Sequence, residues 1–325
     1  MGKWIAIILG VVVVVIGGAL GAVYTIFPRV SEPETVKIER TVERVTRGVY
    51  LANAVMGCVD CHSRREEDLY SMPPVRTAEF GGGFVFSREM GLPGNIVSRN
   101  ITQGALADWT DGEVLRAIVS GVSRDGRVLF PIMPFHAYGT LDREDIYSVI
   151  AYLRVRDKVT RPVPPTEIDF PTSLFIRFAP TDPSFHTKPN PRDTVAYGEY
   201  MVRAAGCADC HTRRDAQGMA VGPDFAGGYE MLMPGKFLNR TANITPDNET
   251  GIGKWTKEAF IARFKSRTEA DYRAMPVAPG QPNTMMPWWA FSNMTEQDLG
   301  AIYEYLRTVP AVRNKVVTFE PVAAR

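Results

Sequence analysis

Cys58-Val59-Asp60-Cys61-His62 and Cys207-Ala208-Asp209-Cys210-His211 are two copies of one Cys-x-x-Cys-His pattern, and the interpretation of the chain starts from them. The pattern is typical of covalent c-type haem attachment, in which both cysteines form thioethers to the haem vinyl groups and the histidine ligates the iron. The two copies use all four cysteines, so none remains for a disulfide framework or a redox-active thiol pair. We therefore predict two covalently bound haem c groups.

Paired Cys-x-x-Cys motifs also occur in structural zinc sites with four thiolate ligands, which is the alternative interpretation of the cysteines. The long separation of the two pairs, and the histidine in the same place after each, favour haem over zinc. The chain has 325 residues and a net charge of +1, without a long run of one sign. This length suggests about two domains, and the charge gives no basis for binding nucleic acid.

The N-terminus is strongly apolar, with no charged residue from Trp4 to Pro28. As a helix this stretch spans about 37 Å, enough to cross the hydrocarbon core of a bilayer. A signal peptide cut after Ala19-Leu20-Gly21 is the alternative, but the hydrophobic region of such a peptide is usually shorter. Haem is attached to these motifs outside the cytoplasm, and Lys3 agrees with the positive-inside rule. We therefore predict a single-pass protein of the inner (cytoplasmic) membrane, with the haem domains on the periplasmic or outer face.

The chain repeats itself at an interval of about 150 residues. Landmarks in the same order are Arg47–Leu51 and Tyr197–Met201, Cys-His-Ser-Arg-Arg65 and Cys-His-Thr-Arg-Arg214, Phe80–Phe84 and Phe225–Tyr229, Asn100-Ile101-Thr102 and Asn243-Ile244-Thr245, Trp109-Thr110 and Trp255-Thr256, Met133-Pro134 and Met286-Pro287, and Tyr-Leu-Arg at 152–154 and 305–307. The predicted organisation is a transmembrane anchor (1–28), a polar stalk (29–46), a first domain (47–156), a Pro-rich linker (157–193), a second domain (194–312) and a C-terminal tail (313–325).

Apolar periodicity predicts mainly α-helical units. The predicted helices are Gly48–Met56, Asp111–Ser120, Asp142–Arg154, Gly198–Ala205 and Thr295–Arg307. Thr295 and Asp298 have the spacing of a capping box. Strand signal is confined to short pieces near Phe84–Phe86. For the apolar linker segment Phe170–Phe178 we favour packing along a domain, or between the domains, over contact with the membrane surface.

The sixth ligand of each iron decides between electron transfer and chemistry on a small molecule. His62 and His211 are the proximal ligands by motif, which leaves His136 and His186. His186 lies in the linker and has no repeat equivalent. The position equivalent to His136 is Trp289, so no free histidine serves the second haem.

A methionine occupies the same repeat position in both halves. A thioether suits haem iron and raises its reduction potential relative to two imidazoles. We therefore predict Met133 as the sixth ligand of the first haem and Met286 as that of the second. His136 is the rival in the first half, and Met275, which also precedes a proline, is the rival in the second.

For most of the other residues near the motifs, the sequence leaves two interpretations open. The arginines that follow each motif either pair with haem propionates or are solvated surface charge. The two repeat-equivalent tryptophans either pack near the macrocycle or are ordinary core residues. The two asparagines are expected to fix loops. These residues are Arg64, Arg65, Arg213, Arg214, Trp109, Trp255, Asn100 and Asn243.

The order of these motifs over residues 45–310, above all the run from Asn243 to Trp255, resembles the cytochrome c subunits of membrane-bound alcohol and gluconate dehydrogenases. The resemblance implies two tandem class I-like cytochrome c domains with His/Met-ligated haem, and electron transfer from a dehydrogenase towards quinone. Those subunits typically carry three haem motifs, whereas this chain has two and an N-terminal anchor.

The leading hypothesis is a membrane-anchored electron carrier that performs no bond chemistry on a substrate. It relays single electrons between a dehydrogenase or quinol-oxidising complex and an acceptor such as a terminal oxidase. A di-haem enzyme with one open iron, similar to a peroxidase, is the alternative, with His136 as its acid or base. A third interpretation is a subunit that works only inside a larger respiratory complex.

Overall fold

Helices dominate the computed structural model, which describes residues 2–215, 219–233, 237–278 and 280–321. In chain order, the α-helices are α1 (Gly2–Ile26), α2 (Val42–Tyr50), α3 (Cys58–Cys61), α4 (Gln103–Leu106), α5 (Asp111–Ser120), α6 (Phe135–Tyr138), α7 (Arg143–Val155), α8 (Thr172–Phe175), α9 (Thr194–Ala204), α10 (Cys207–His211), α11 (Lys257–Lys265), α12 (Glu269–Arg273), α13 (Trp288–Phe291) and α14 (Glu296–Leu306).

Among the described residues, six short strands form two three-stranded antiparallel sheets. The strands are β1 (Val85–Phe86), β2 (Gly94–Val97), β3 (Glu167–Ile168), β4 (Glu230–Met233), β5 (Phe237–Arg240) and β6 (Phe319–Pro321). The strand orders are β1-β2-β3 and β4-β5-β6. In each sheet a hairpin pairs with a strand that follows the last long helix of its half. Val85 lies opposite Val97, and Met233 lies opposite Phe237.

The predicted long helices are present. Helix α5 has the predicted bounds, and α7 and α14 begin one residue after Asp142 and Thr295, which cap them. Helix α2 begins earlier than predicted, at Val42, because the Thr41 side chain accepts a hydrogen bond from the Arg44 N–H. A π-helical turn over Leu51–Val55 continues α2 towards the first motif.

The closest helix packing in each half is a crossing of its first and last long helices. Helix α2 crosses α7 at Gly48, and α9 crosses α14 at Gly198. A Cβ atom on Gly48 would lie 2.0 Å from the Ser148 carbonyl oxygen, and one on Gly198 would lie 2.0 Å from that of Ala301. Only glycine lets the two backbones approach this closely. Gly48 and Gly198 occupy equivalent positions of the repeat, so both halves have the same close helix crossing.

One hydrophobic cluster runs through both halves. It includes Val55 and Ile146 from the first half and Met201 and Leu299 from the second, all with almost no exposed area. The small helix of each half also packs on the other half, α6 against α9 and α13 against the turn over Leu51–Val55. The two halves are therefore held by a shared core.

Two repeat-equivalent tyrosine–aspartate pairs cross this interface in opposite directions. The Tyr200 hydroxyl donates to Asp145 Oδ2 at 2.7 Å, and the Tyr50 hydroxyl donates to Asp298 Oδ2. The Tyr197 hydroxyl occupies the other oxygen of Asp298. Thr295 caps α14 as predicted, but Asp298 contributes only its backbone N–H to that cap because its carboxylate is bound by the tyrosines. The interface is self-complementary, as in a two-fold dimer.

Asp145 at this interface makes the stability of the fold sensitive to acid. Burial raises the pKa of its carboxyl, but hydrogen bonds and charge from Arg47, with Lys188 and Tyr200, outweigh burial and hold the pKa below its ordinary value. A carboxyl with a lowered folded-state pKa stabilises the fold above its unfolded pKa, and this stabilisation is lost as pH falls through the folded pKa.

We expect Asp145→Asn to lower the free energy of unfolding by about 2–3 kcal/mol at neutral pH, because it leaves two cations unpaired. The difference from wild type should begin to shrink as pH falls below about 4, the unfolded-state pKa, and should vanish only below the lowered folded-state pKa, where the wild-type carboxyl is protonated as well. Urea unfolding across this pH range measures both effects. Glu144→Gln, which removes the exposed neighbouring pair with Arg44, is the control and should cost less than about 1 kcal/mol. An Asp145→Asn penalty that persists unchanged in acid would contradict this assignment.

The segments that flank the first half lie against it. Of the residues predicted as a polar stalk (29–46), Ile38 is buried and donates its N–H to Asp111 Oδ2, and Glu34 binds Arg143. The linker contributes β3. The Pro164 carbonyl accepts from Arg99 Nη1. This part of the linker packs along the first half.

Within the described residues, α1 is the one helix long and apolar enough to cross a membrane. Almost all of its side chains are exposed. A helix of this composition and exposure suits a lipid environment.

Candidate functional site

Both Cys-x-x-Cys segments form one helical turn with the same entry. Gly57 precedes α3 with φ 62°, and Gly206 precedes α10 with φ 65°. Glycine adopts this left-handed conformation without steric cost. Residues three apart on a helical turn share a face. The two cysteines of each motif are therefore presented side by side, with the histidine directly after them.

The two motif histidines make the same hydrogen bond. His62 Nδ1 lies 2.7 Å from the Arg99 carbonyl oxygen, and His211 Nδ1 lies 2.7 Å from that of Ala242. A carbonyl only accepts, so each Nδ1 carries the proton and each Nε2 keeps its lone pair. Burial lowers the pKa of both rings, which favours the neutral form that binds metals. The carbonyl partner also fixes the orientation of the ring.

The motif thiols are free of disulfides. Burial raises the pKa of Cys58 and of Cys207 to about 12, so both are protonated near neutral pH. Among the described residues, no three His, Cys, Asp or Glu side chains come together as a metal-ligand set. The zinc alternative has no ligand set there, whereas the paired cysteines and oriented histidines fit haem c.

The second arginine after each motif binds the aspartate inside that motif. Arg65 Nη2 lies 2.6 Å from Asp60 Oδ2, with both side chains buried, and Arg214 Nη2 lies 3.1 Å from Asp209 Oδ1. The guanidinium of Arg65 also lies over the Phe84 ring at 4.4 Å. These contacts brace each attachment turn. Arg64 and Arg213, the first arginines, are exposed.

The two predicted methionine ligands occupy identical local structures. The Met133 carbonyl accepts from the Phe135 N–H at 2.8 Å, and the Met286 carbonyl accepts from the Trp288 N–H at 2.8 Å. A proline follows each methionine and precedes a four-residue helix, α6 or α13. Both methionines are half-buried and pack against the shared core. The two methionines, which were selected because they occupy the same position in the sequence repeat, therefore also have the same local backbone structure.

The alternative sixth ligands, His136 and Met275, do not share a common local structure. His136 is exposed, and its Nδ1 lies 3.4 Å from the Thr181 hydroxyl. Met275 follows α12, and its carbonyl accepts from the Tyr70 N–H at 2.8 Å. Among the residues that the structure describes, neither contact has an equivalent in the other half.

A loop of the first half holds the loop that carries Met286. The Ser71 hydroxyl donates to the Met286 carbonyl at 2.6 Å and accepts from the Trp288 N–H. The Asn283 side chain accepts from the Ser71 N–H at 2.8 Å. The sequence did not predict a role for Ser71 or Asn283, because aligning the two halves of the chain does not show which residues of one half contact the other.

The aromatic residues predicted near the macrocycle differ between the halves. Trp109 is half-buried against the core, whereas Trp255 is 38% exposed at the surface. The apolar side chains that pack with Cys61 are instead those of the first sheet, including Phe84, Phe86 and Ile96. The asparagines do fix loops: Asn100 and Asn243 each accept from the N–H and hydroxyl of the threonine two residues on.

The two attachment motifs lie close to each other. Burial contributes most to raising the pKa of Cys61 to about 12. Among its neighbours, Asp60 raises this pKa, Arg65 lowers it, and Cys210 of the other motif raises it slightly. Cys210 is therefore close enough to Cys61 to influence its pKa. Tyr138, buried between the halves, donates its hydroxyl to the Met56 carbonyl at 2.8 Å, just before the first motif.

Comparison with known proteins gives matches over both halves. Residues 195–310 match the family model described as cytochrome c. The chain is 29% identical over 280 residues to the fructose dehydrogenase cytochrome subunit of Gluconobacter japonicus, covering 82% of this chain and 53% of that protein. It is 28% identical over 283 residues to the cytochrome c subunit of alcohol dehydrogenase (quinone) of Gluconacetobacter polyoxogenes, covering 82% and 56%. The chain spans about half the length of these two relatives.

A third relative matches over nearly its whole length. A protein named "Diheme cytochrome c-type" from Cereibacter sphaeroides is 24% identical over 313 residues, which cover 93% of this chain and 97% of the relative. The predicted resemblance to cytochrome c subunits of dehydrogenases is confirmed.

Proposed function

We propose that this chain is a membrane-anchored di-haem cytochrome c that relays single electrons between a respiratory donor and an acceptor. The observation that carries the proposal is the pair of matching attachment turns, each with a histidine held by a backbone carbonyl, on either side of one interface. Two tandem cytochrome c domains, 47–156 and 194–312, account for this arrangement. The relative named as a diheme cytochrome supports the haem number.

The role of the protein residues follows from their chemistry. When bound, each haem supplies an iron that changes oxidation state by one electron. Cys58 and Cys61 would hold the first haem covalently, and His62 and Met133 would both ligate its iron. In the second half the same roles fall to Cys207, Cys210, His211 and Met286. A closed coordination sphere lets electrons pass and keeps small molecules off the metal.

The interface keeps the two attachment sites at a fixed separation. The crossed pairs Tyr50–Asp298 and Tyr200–Asp145 and the shared core resist relative motion of the halves. Electron transfer within one chain then needs no diffusional encounter. Covalent attachment retains the cofactor while redox partners dock and leave.

The donor we propose is a membrane dehydrogenase or a quinol-oxidising complex, and the acceptor is one such as a terminal oxidase. Relatives named as cytochrome subunits of fructose and alcohol dehydrogenases support a dehydrogenase donor. Helix α1 supports anchoring in a membrane. The membrane we propose is the inner one, with the haem domains on the periplasmic face, because haem is attached to such motifs outside the cytoplasm. Tethering raises the effective concentration of the protein near integral complexes. Pull-down of the detergent-solubilised chain identifies the donor.

The haem number is tested by removing one motif at a time. We expect the wild-type chain to carry two haem c groups, and Cys207→Ala/Cys210→Ala to carry one, because the motifs attach haem independently. Intact mass and the pyridine haemochrome spectrum measure this. Cys58→Ala/Cys61→Ala is the matched variant and should also retain one haem. A wild-type chain with a single haem, or a double variant that keeps both, would contradict the proposal.

A further inference from the structure

The apolar linker segment, residues 170–178, is tied to the end of the anchor helix. Arg177 Nη2 donates to the carbonyl oxygens of Tyr24, at 3.1 Å, and of Phe27. Its guanidinium also lies over the Tyr24 ring at 4.7 Å. The last carbonyls of a helix lack partners within the helix and carry partial negative charge. Arg177 therefore stabilises α1 where its chain leaves the helix.

Two further contacts fasten the same region. The rings of Phe27 and Phe178 pack with centroids 4.5 Å apart. Ser31 donates its N–H and its hydroxyl to the Asp182 carboxylate, at 2.8 and 3.0 Å. The chain after α1 and the segment around α8 therefore run together as one unit, although they are far apart in the sequence.

The segment has one face on the protein and one exposed. Ser173, Ile176 and Arg177 line a pocket against the first half. Phe170, Phe175 and Phe178 lie outside it, with exposed fractions of 73%, 61% and 47%. Phe175 and Phe178 are three residues apart, so they share a side of the helical turn. Three phenylalanines with large exposed fractions in so short a segment form an apolar patch, whose member Phe178 also packs on Phe27 at the end of the anchor helix.

The position of this patch is set by the length of α1. The helix has 25 residues and is about 37 Å long, somewhat more than the roughly 30 Å of a bilayer's hydrocarbon core. Its end at Tyr24–Phe27 therefore lies at the boundary between acyl chains and headgroups. Aromatic side chains concentrate at this depth in membrane proteins, and short amphipathic helices lie there in the plane of the membrane.

We propose that residues 170–178 are a second membrane contact, in which Phe170, Phe175 and Phe178 insert into the lipid boundary beside α1. The inference rests on the proposed anchoring by α1. The partner of this apolar patch is the lipid bilayer, because Arg177 hydrogen-bonds the segment to the end of α1 that lies at the lipid boundary. The two contacts together hold the first half at one tilt to the membrane, so that it presents the same surface to integral redox partners.

The test uses the full haem-loaded chain in phosphatidylcholine nanodiscs with a photo-reactive benzoylphenylalanine at one position at a time. We expect a label in place of Phe175 to give lipid adducts by mass spectrometry at a yield many-fold above a label in place of Trp255. Trp255 is the matched control, because it is an exposed aromatic residue of the second half. A label in place of Trp4, in α1, reports anchoring separately.

The outcomes separate the two proposals. Adducts at positions 4 and 175, but not at 255, support the second contact. Adducts at 4 alone, or cross-links from 175 to another protein chain, overturn it and leave the anchor and the electron-transfer function standing. Absence of adducts at position 4 overturns both the anchor and the second contact. The haem spectrum of each labelled chain shows that it has folded.

Discussion

Replacement of Met286 by alanine is expected to open the iron of the second haem while the first haem stays closed. The methionine sulfur is the sixth ligand in this account, and alanine offers no donor atom in its place. About half of the ferrous haem should then bind carbon monoxide, and the ferric charge-transfer band of methionine ligation should fall by about half. Optical titration with carbon monoxide measures the first effect, and near-infrared absorption measures the second.

Two matched variants make this result specific. Met133→Ala should open the first haem to the same extent, because Met133 has the same local backbone structure as Met286. Met275→Ala should leave both spectra unchanged. If Met275→Ala opens a haem and Met286→Ala does not, the ligand of the second haem is Met275. Carbon monoxide binding by the wild-type chain would instead favour an enzyme with an open iron.

The second large effect is expected from Gly198→Ala, at the crossing of α9 and α14. The new methyl carbon would lie 2.0 Å from the Ala301 carbonyl oxygen and 2.9 Å from Tyr305 Cβ, so the helices must separate. Overpacking of this kind typically costs about 1–3 kcal/mol, and backbone cannot move aside as a flexible side chain does. We expect a loss of about 3 kcal/mol in the free energy of unfolding, measured by urea denaturation followed in the Soret band.

Gly48→Ala tests the equivalent crossing of α2 with α7 and should show a loss of similar size. Gly222→Ala is the control, because its methyl carbon would meet its nearest neighbour, Arg213 Cβ, at an ordinary 3.4 Å. A control of this kind should change stability by less than about 0.5 kcal/mol. Equal stability of Gly198→Ala and Gly222→Ala would show that the crossing is not close-packed.

Much of the helical structure was predictable because its signals are local. The apolar spacing within Asp111–Ser120 gives α5 its observed bounds. The cap at Thr295 is also encoded within a few residues. Self-comparison of the chain paired Met133 with Met286, and the two have the same local backbone structure although neighbouring side chains such as His136 and Trp289 differ.

Features that depend on contacts between distant segments were not predictable. Strands such as Glu167–Ile168 are too short for an alternating pattern, and pairing with β2 defines them. The carboxylate of Asp298 was predicted to cap α14, but Tyr50 and Tyr197 from other helices compete for it. The repeat register already aligned Tyr50 with Tyr200 and Asp145 with Asp298. A search for tyrosine–aspartate pairs that could form between the two aligned halves would have found the interface.

Quantitative electron paramagnetic resonance of the ferric full-length chain tests the central claim most directly. Two irons closed by histidine and methionine give two low-spin centres per chain and no high-spin signal. The account predicts this result for the purified protein in its resting state. One centre per chain, or a high-spin signal that amounts to a whole iron, would contradict it.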